Sequence, residues 1–463
     1  MLSRGLSRAT FSKSRLALAS RTFVLQRRLL CKPPDQTIID VAGHKSLSEG
    51  DTSTDAVENV ELTFVEEPLG LRADQGFGYL QVDFGQRIGP GDRYEVLRKL
   101  GWGMNASVWL ARDHEEECYV AIKALKGMAT DIHFQGYMQE LPIMECVTEH
   151  IQQSGRPAYC ATLRSHFIHH GKPNDGEHLC LVMDVLAGDI EALQTESKAF
   201  PVPLAKRILR DTLRGLAQLH ASGCVHTDLK SANIMCNLPE ATSEANLRLL
   251  LESSPSRRHP PEQSWDYFVE AAVSQPLPPP SIDQALSASF VIGDFGSAQF
   301  ADHQVISHIT PDTLRAPESI LQGPWDSKVD IWTFGCLVYE FMLGIPLFPR
   351  KHPVMEPDVY HLIQILKFTG EEFSPNLIKT YKYAPDFLDM ETGYLARVRK
   401  PVTKVHFSLL FRRNAGVLAL PEHDIAGAID LMSRCFRIDP ADRPTAIELV
   451  RESPWMLELG DDF

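Results

Sequence analysis

The chain has 463 residues, of which 44% are hydrophobic, and its formal net charge is −14. This length and composition suit two or three folded domains and argue against a disordered polymer. Nine scattered cysteines without a C-x-x-C pair argue against a disulfide framework or a zinc cluster, and no apolar run reaches the roughly 18 residues that cross a bilayer.

The charge is unevenly distributed along the chain. Residues 1–34 contain eight Lys or Arg and no Asp or Glu, so the remainder is more acidic than the net charge shows. The negative electrostatic potential of such a chain attracts basic partners and repels nucleic acid. Surface charge that serves only to keep the protein soluble would give the same composition. We therefore expect Arg- or Lys-rich protein partners, no direct nucleic-acid binding and no membrane association.

The two N-terminal segments are predicted to lie outside the main fold. Residues 1–34 are Arg- and Ser-rich, which is typical of a mitochondrial transit peptide. A disordered basic tail or sequence added by an upstream start codon explains the same composition, so the localisation stays open. Residues 35–93 are predicted to be a linker and N-terminal extension, with ordered structure beginning near Gly76.

Short β-rich runs begin at Tyr94 with YEVLRKLG, SVWLARD and CYVAIKAL. Their alternating or continuous apolar residues predict an antiparallel sheet. A helical pattern at residues 137–150 and two strand-like runs near residues 161–169 and 178–185 follow. Residues 94–186 are thus predicted to form a small β-rich lobe with one main helix.

Helical spacing dominates residues 187–455, which are predicted to form a larger, mostly α lobe before a tail at residues 456–463. The clearest helical segments are residues 204–222, 329–343, 359–368 and 425–435. Residues 238–289 contain eight prolines and no pattern for a core of their own, which predicts a flexible insertion. The predicted fold class is α+β with two lobes.

A glycine-rich hairpin, K-L-G-W-G-M-N-A-S-V, joins the first two predicted strands. Gly101 and Gly103 would let backbone N–H groups approach phosphate oxygens without an intervening β-carbon. Ala106 stands where the G-x-G-x-x-G pattern has its third glycine. Alone this signal is weak, because two glycines in a hairpin are often only a turn.

The next strand carries Lys123 in V-A-I-K, where an ammonium group can hold the α- and β-phosphates of a nucleotide. A lysine among apolar neighbours needs a counter-charge. Glu140 is favoured because it heads the apolar face of the following helix, while Glu145 and Glu149 compete for the same role.

The run V-H-T-D-L-K-S-A-N carries the strongest chemical signal. Asp228 can orient an attacking hydroxyl and accept its proton, and Lys230 can neutralise charge on a transferred phosphoryl group. Asn233 offers an uncharged oxygen to a magnesium ion. His226 is interpreted as structural.

Two later motifs complete the pattern. Asp294 in V-I-G-D-F-G is a hard carboxylate ligand suited to magnesium that bridges phosphates. In R-A-P-E, Glu318 has a structural ion-pair candidate in Arg443, whose planar fork suits a buried carboxylate. The motifs occur in a fixed order, with a β-rich lobe before and a helical lobe after, so coincidence is an inadequate explanation.

Together these motifs make residues 94 to about 455 resemble a eukaryotic protein kinase domain, two lobes with ATP between them. Within that superfamily the chain resembles the SR-protein-specific kinases. The likeness lies in K-L-G-W-G before V-W-L, in H-T-D-L-K, in G-F-G-Y-L-Q-V-D-F-G ahead of the domain, in the presumed hinge C-L-V-M-D-V-L and in the insertion before D-F-G.

The resemblance implies an ATP- and Mg²⁺-dependent serine/threonine protein kinase that acts as a monomer on Arg-Ser-rich proteins such as splicing factors, in cytoplasm and nucleus. It also implies catalytic roles for Asp228 and Lys230 and metal ligation by Asn233 and Asp294. The residues that it implies for nucleotide binding are Leu100, Gly101, Trp102, Gly103, Val108, Ala121, Lys123, Glu140, Asp184 and Leu186.

Two departures from the wider kinase pattern bear on regulation and turnover. Thr227 replaces an arginine that normally pairs with an activation-loop phosphate, and threonine cannot neutralise a dianion. We therefore expect activity without activation-loop phosphorylation. Pro311 stands where many kinases have a threonine bonded to the catalytic aspartate. Either Thr310 substitutes for that threonine or turnover is slow.

Two other classes of function stay under consideration. A pseudokinase scaffold would bind partners without phosphoryl transfer, and Asp228 would then be dispensable. A small-molecule phosphotransferase would share the aspartates and the lysine but would lack the R-A-P-E segment and its Arg443 partner.

Overall fold

The computed structural model describes residues 37–40, 61–194, 199–349, 352, 354–396 and 402–458. Residues 1–34, for which a targeting role is considered above, lie outside this set. The chain divides into two compact units. The first contains the described residues up to Gln135 together with Ser165–Val182 and Arg248–Pro276, and the second contains the rest.

The described strands and helices are numbered separately in chain order. The strands are β1 Thr37–Asp40, β2 Glu61–Phe64, β3 Arg87–Ile88, β4 Tyr94–Trp102, β5 Ala106–Asp113, β6 Cys118–Leu125, β7 Leu163–His170, β8 Glu177–Met183, β9 Cys224–Val225, β10 Ile234–Asn237, β11 Glu262–Gln263, β12 Phe268–Val269, β13 Ser289–Ile292 and β14 Gln299–Phe300. The helices are α1 Gly127–Phe134, α2 Glu140–Ser154, α3 Val202–Ala221, α4 Glu244–Ser253, α5 Ile282–Ala285, α6 Pro317–Ile320, α7 Lys328–Leu343, α8 Pro357–Thr369, α9 Pro375–Ile378, α10 Ala384–Phe387, α11 Phe407–Val417, α12 Glu422–Cys435, α13 Ala446–Glu452 and α14 Pro454–Leu457.

The first unit is built on a six-stranded sheet with the order β3-β4-β5-β6-β8-β7. Strands β3 to β6 pair antiparallel, as the short β-rich runs predict. Apolar side chains on one face, including Val96, Ala111 and Val120, are buried and form the core of this unit. Tyr94 stacks on Phe167 with ring centroids 5.4 Å apart.

Two segments that were expected to be unstructured belong to the fold of the first unit. Residues 61–75 and the insertion residues from Arg248 to Pro276 bury Leu62, Phe64 and Val269 in one cluster with Tyr79. The predictions that structure begins near Gly76 and that residues 238–289 are flexible are therefore wrong. Neither segment has a core of its own, but each provides an apolar surface that covers the other.

A buried charge cluster ties strand β4 to both of these segments. Lys99 has no exposed side-chain surface; its Nζ lies 3.1 Å from a carboxylate oxygen of Glu66, bonds to Glu67 and donates to the carbonyl of Ala272. Ser274 donates both its N–H and its hydroxyl to Glu66. Burial alone would raise the pKa of Glu66, but the charge of Lys99 and the bonds from Ser274 lower it.

The second unit contains most of the helices, and α7 lies at its centre with nearly every side chain buried. The observed bounds of α3, α7, α8 and α12 agree with the predicted helical segments to within a few residues. Glu318 and Arg443 form the predicted ion pair, with N–O distances of 2.5 and 2.9 Å and no exposed side-chain surface. Its role is structural.

Several predicted boundaries in and around the small lobe need correction. The main helix begins at Glu140 rather than residue 137, and it groups with the second unit because it packs on residues 295–300 there. Helix α1 was not predicted, because G-M-A-T-D-I-H-F has almost no amphipathic periodicity. Met456, assigned to a tail, is buried within α14.

Two further expectations concern disulfides and membranes. The cysteines in the described part of the chain are all free thiols, as predicted; Cys31 lies outside it. Across the same residues, the structure contains no helix whose length and apolar character would suffice to span a bilayer.

Replacing Lys99 with Met should destabilise the first unit, because Glu67 would then be buried without a counter-ion and Glu66 would keep only the neighbouring His259. Breaking a buried pair in this way costs about 3–5 kcal/mol. We expect a lower urea midpoint for unfolding, measured by tryptophan fluorescence. The exposed pair Arg72–Asp74 in the same unit provides the control, and Arg72→Ala should leave the midpoint nearly unchanged. Equal midpoints for the two variants would contradict this account of Lys99.

Candidate active site

The first unit carries the predicted nucleotide-binding residues in one row across three strands. Gly101 lies opposite Val108, and Val108 lies opposite Lys123. Residues directly opposite each other in an antiparallel pair project to the same face, and so does Ala121, two positions before Lys123. The strand register therefore places these four residues together on one face of the sheet.

The two glycines of the hairpin are not required by the fold itself. Neither Gly101 nor Gly103 has a positive φ, and a β-carbon built on either would meet no described atom within 4 Å. Neither the backbone conformation nor packing within the protein therefore requires glycine at these two positions. A ligand that closely approaches the backbone explains the glycines, and a nucleotide phosphate fits this requirement.

Leu100 and Trp102 flank Gly101 on the same strand. Trp102 lies opposite Ser107, one step along the ladder, so its side chain projects to the other face from Val108. Its ring packs edge-on against Tyr79 at a centroid distance of 5.9 Å. The nucleotide-binding role of Trp102 stays a prediction, and this geometry restricts that role to its backbone.

The second unit brings the three polar residues of the H-T-D-L-K-S-A-N run together. Lys230 Nζ lies 2.5 Å from Asp228 Oδ2. Asn233 Nδ2 donates to the backbone carbonyl of Asp228 at 2.8 Å and lies 3.4 Å from its Oδ2. The short 3-10 helix Ser231–Asn233 produces this closeness by turning the chain back towards Asp228.

Asp330, in helix α7, holds this catalytic loop in place. Its carboxylate accepts the backbone N–H of His226 at 2.8 Å and that of Thr227 at 3.0 Å, and His220 Nε2 lies 2.8 Å away. Burial would raise the pKa of Asp330, but the hydrogen bond and charge of His220 lower it. Sequence reasoning missed Asp330, although an aspartate inside the otherwise apolar run V-D-I-W-T-F-G was a usable signal.

The predicted metal ligands lie at one end of a two-stranded ladder. Strand β10 pairs with β13 so that Ile234 lies opposite Ile292, and the N–H of Gly293 donates to the carbonyl of Asn233 at 2.8 Å. Asn233 and Asp294 therefore flank the same end of the ladder. One amide oxygen and one carboxylate suit a hard divalent cation. His226 Nε2 lies 3.1 Å from the carbonyl of Gly293, which supports its structural role.

The structure describes the other predicted site residues within their own units. Glu140 is buried at the start of α2, and the preceding Gln139 bonds to the backbone of Phe300 and His303. Lys123 lies on β6 of the first unit, so its pairing with Glu140 stays a prediction. Asp184 accepts from Arg164 at 2.5 Å.

Leu186, the last predicted hinge residue, is half-buried. It precedes a segment whose backbone bonds to strand β10. The N–H of Ala187 donates to the carbonyl of Cys236, and the N–H of Cys236 donates to the carbonyl of Gly188. The hinge segment is thereby tied to the strand that follows the catalytic loop.

Thr227 joins the catalytic loop directly to the activation segment. Its hydroxyl donates to the carbonyl of Ser297 at 2.6 Å, and its own carbonyl accepts the N–H of Thr310 at 2.7 Å. These two bonds tie the activation segment to the catalytic loop at Ser297 and at Thr310, and activity without phosphorylation stays a prediction. The hydroxyl of Thr310 donates to the carbonyl of Ile309, so the expectation that Thr310 replaces the missing threonine at the catalytic aspartate is wrong.

Comparison with known proteins agrees with this geometry. Residues 94–250 and 282–456 match the family described as Protein kinase domain, and this match covers more than half of the chain. The chain belongs to that family. It is therefore a protein kinase, an enzyme that uses ATP and a divalent metal to phosphorylate proteins.

The similar curated proteins narrow the class. Serine/threonine-protein kinase SRPK of Physarum polycephalum is 27% identical over 66% of this chain and 73% of its own length. Serine/threonine-protein kinase AFC1 of Arabidopsis thaliana is 27% identical over 81% of this chain and 73% of its own length. Protein kinase dsk1 of Schizosaccharomyces pombe is 25% identical over 83% of this chain and 84% of its own length. The chain is thus a serine/threonine kinase similar to the SR-protein kinases.

Replacing Thr227 with Val keeps the β-branched shape but removes the hydrogen bond to Ser297. The loss of one such bond is worth about 1 kcal/mol, so we expect kcat to fall about fivefold. Wild-type enzyme treated with a phosphatase should keep its activity. Both quantities can be measured by steady-state phosphate transfer to a peptide.

Thr313→Val is the matched control, because the Thr313 hydroxyl has no hydrogen-bond partner among the described residues. It should leave kcat unchanged. Loss of wild-type activity after phosphatase treatment would show that Thr227 does not substitute for a phosphate contact.

Proposed function

We propose that this kinase transfers the γ-phosphate of Mg²⁺-bound ATP to serines in Arg-Ser-rich proteins and acts as a single chain. Asp228 orients the acceptor hydroxyl and accepts its proton, and Lys230 neutralises charge on the transferred group. Asn233 and Asp294 would hold the magnesium ion, and Lys123 the nucleotide phosphates. The metal supplies charge neutralisation at the phosphates when it is bound.

An acidic cavity in the second unit carries the substrate part of this proposal. The cavity has a volume of about 420 Å³ and lies beside the R-A-P-E segment. Its walls include the carboxylates of Glu356, Asp358 and Asp386 and the aromatic rings of Tyr383 and Phe387. Carboxylates and aromatic faces are the two partners that a guanidinium group prefers, and an ammonium group exploits the combination less well.

One guanidinium group of the chain already lies in the wall of this cavity. Arg315 Nη2 is 2.8 Å from Asp312, and Nη1 is 3.6 Å from Asp358. The environment therefore accommodates an arginine side chain. The similarity to proteins named as SRPK and related kinases favours the same substrate class.

Phosphate transfer from radiolabelled ATP to an Arg-Ser repeat peptide is the direct test. We expect wild-type enzyme to prefer this peptide to a matched Lys-Ser peptide. Asp228→Ala should lower kcat by roughly two to four orders of magnitude, because it removes both hydroxyl positioning and proton acceptance. ATP binding, measured by titration calorimetry, should change little.

The outcomes separate the competing functions. Transfer only to proteins without Arg-Ser repeats would contradict the substrate class and leave the kinase in place. Asp228→Ala with full activity would contradict the catalytic assignment. Ser3, Ser7, Ser14 and Ser20 each precede an arginine in the chain itself, so label on the enzyme must be counted separately from label on the peptide.

The acidic cavity can be tested by neutralising two of its carboxylates without changing their shape. The double variant Glu356→Gln, Asp386→Asn should lower kcat/KM for the Arg-Ser peptide about tenfold, equivalent to about 1.4 kcal/mol of lost charge attraction. The loss should appear mainly in the KM for the peptide and should shrink at high ionic strength. The KM for ATP should stay constant.

A control variant removes the same number of charges elsewhere on the second unit. Asp283 and Asp430 are exposed and do not line the cavity. Asp283→Asn, Asp430→Asn should leave kcat/KM for the peptide near the wild-type value. An equal loss in both double variants would show that net charge, rather than this cavity, attracts the peptide.

A further inference from the structure

Tyr79 contacts the tip of the glycine-rich hairpin, although it lies in the N-terminal extension, before the residues that match the kinase family. Its hydroxyl is 2.8 Å from the carbonyl oxygen of Gly103 and 2.8 Å from that of Met104. The side chain is almost completely buried. A buried hydroxyl that is shared between two adjacent carbonyl oxygens restricts the orientation of both peptide groups.

The ring of Tyr79 is held on several sides. Trp102 meets it edge-on with an interplanar angle of 86°. The ammonium group of Lys126 lies 5.6 Å from the ring centroid. Tyr79 also belongs to the hydrophobic cluster that contains the buried side chains of Leu71 and Val269. The extension and the insertion thus fix the position from which the hydroxyl reaches the hairpin.

The backbone of the hairpin tip has a consistent orientation. The carbonyl of Asn105 accepts the backbone N–H of Lys126 at 2.9 Å, so three successive carbonyls, from Gly103 to Asn105, are bonded. The carbonyl and the N–H of a trans peptide group point in opposite directions. Holding the carbonyls of Gly103 and Met104 at Tyr79 therefore directs the N–H groups of Met104 and Asn105 away from it.

Those two N–H groups are available for a ligand. Among the described residues, no acceptor is bonded to the N–H of Met104 or Asn105. The N–H of Gly103, in contrast, is used within the hairpin, where it donates to the carbonyl of Ala106 at 2.8 Å. Two adjacent N–H groups with a common direction form a site that suits phosphate oxygens.

We propose that Tyr79 is a positioning residue for nucleotide binding, which orients the N–H groups of Met104 and Asn105 towards the ATP phosphates. The proposal rests on the assignment of the glycine-rich hairpin as the phosphate-binding loop. It gives the N-terminal extension a direct part in the affinity of this enzyme for ATP. Tyr79 itself does not contact the reacting atoms.

Tyr79→Phe tests the proposal, because it removes the hydroxyl and keeps the packed ring. A loop that is no longer oriented before binding must be ordered by the nucleotide, which weakens binding. We expect the Kd for a fluorescent ADP analogue and the KM for ATP to rise about fivefold. The kcat and the KM for the peptide should change less than twofold. Amide hydrogen exchange at Gly103, whose N–H is bonded within the hairpin, should become faster.

Tyr94→Phe is the matched control within the same unit. Tyr94 is as buried as Tyr79, and its hydroxyl bonds to Ser165 Oγ at 2.9 Å rather than to the hairpin. Its removal should leave the Kd for the ADP analogue unchanged. Thermal unfolding of both variants should confirm that each remains folded at the assay temperature.

The possible results separate this proposal from the proposed substrate class. An unchanged Kd in Tyr79→Phe, or an equal rise in Tyr94→Phe, would overturn the role of Tyr79. Wild-type enzyme that binds no ADP analogue would overturn the phosphate-binding assignment of the hairpin and this proposal with it. Wild-type enzyme that binds the analogue but ignores Arg-Ser peptides would overturn the substrate class alone.

Discussion

The buried carboxylate of Asp330 is the constraint on which the arrangement of the catalytic loop depends. It accepts the N–H groups of two consecutive residues, His226 and Thr227, immediately before Asp228. The two N–H groups bond to different oxygens of the carboxylate, and an amide side chain would present an NH₂ donor in place of one of those oxygens. Through Thr227 the same carboxylate also fixes the start and the end of the activation segment.

The two units position their own candidate residues by different means. In the first, strand register alone puts Gly101, Val108 and Lys123 in a row. In the second, Asp228 and Asn233 are brought together by a tight turn and hydrogen bonds within a loop. The hydrogen-bonded loop therefore depends on each of its donors and acceptors.

The parts of the structure that sequence predicted are those whose signals are local. Strand alternation around Lys123, helical spacing in α7 and the motif residues Asp228 and Asn233 are all read within about ten residues. The structured insertion could not be predicted in this way, because its apolar residues are covered by the extension and not by their own neighbours. Thr310 was misassigned because a positive φ of 65° turns its hydroxyl to the adjacent carbonyl, which spacing does not show.

The discontinuity of the first unit sets an order of events during synthesis. Lys99 bonds to the carbonyl of Ala272, which lies 173 residues further along the chain. At typical translation rates of about 5–20 residues per second, that residue is made roughly 10–35 s later. Until then the ammonium group and the apolar side chains of the extension lack part of their covering. The first unit therefore cannot complete its interior until the chain up to Pro276 has been made, although Gly136–Arg164 and Met183–Leu247 of the second unit are made before that point. A chain stalled before Ala272 exposes an apolar surface that chaperones recognise.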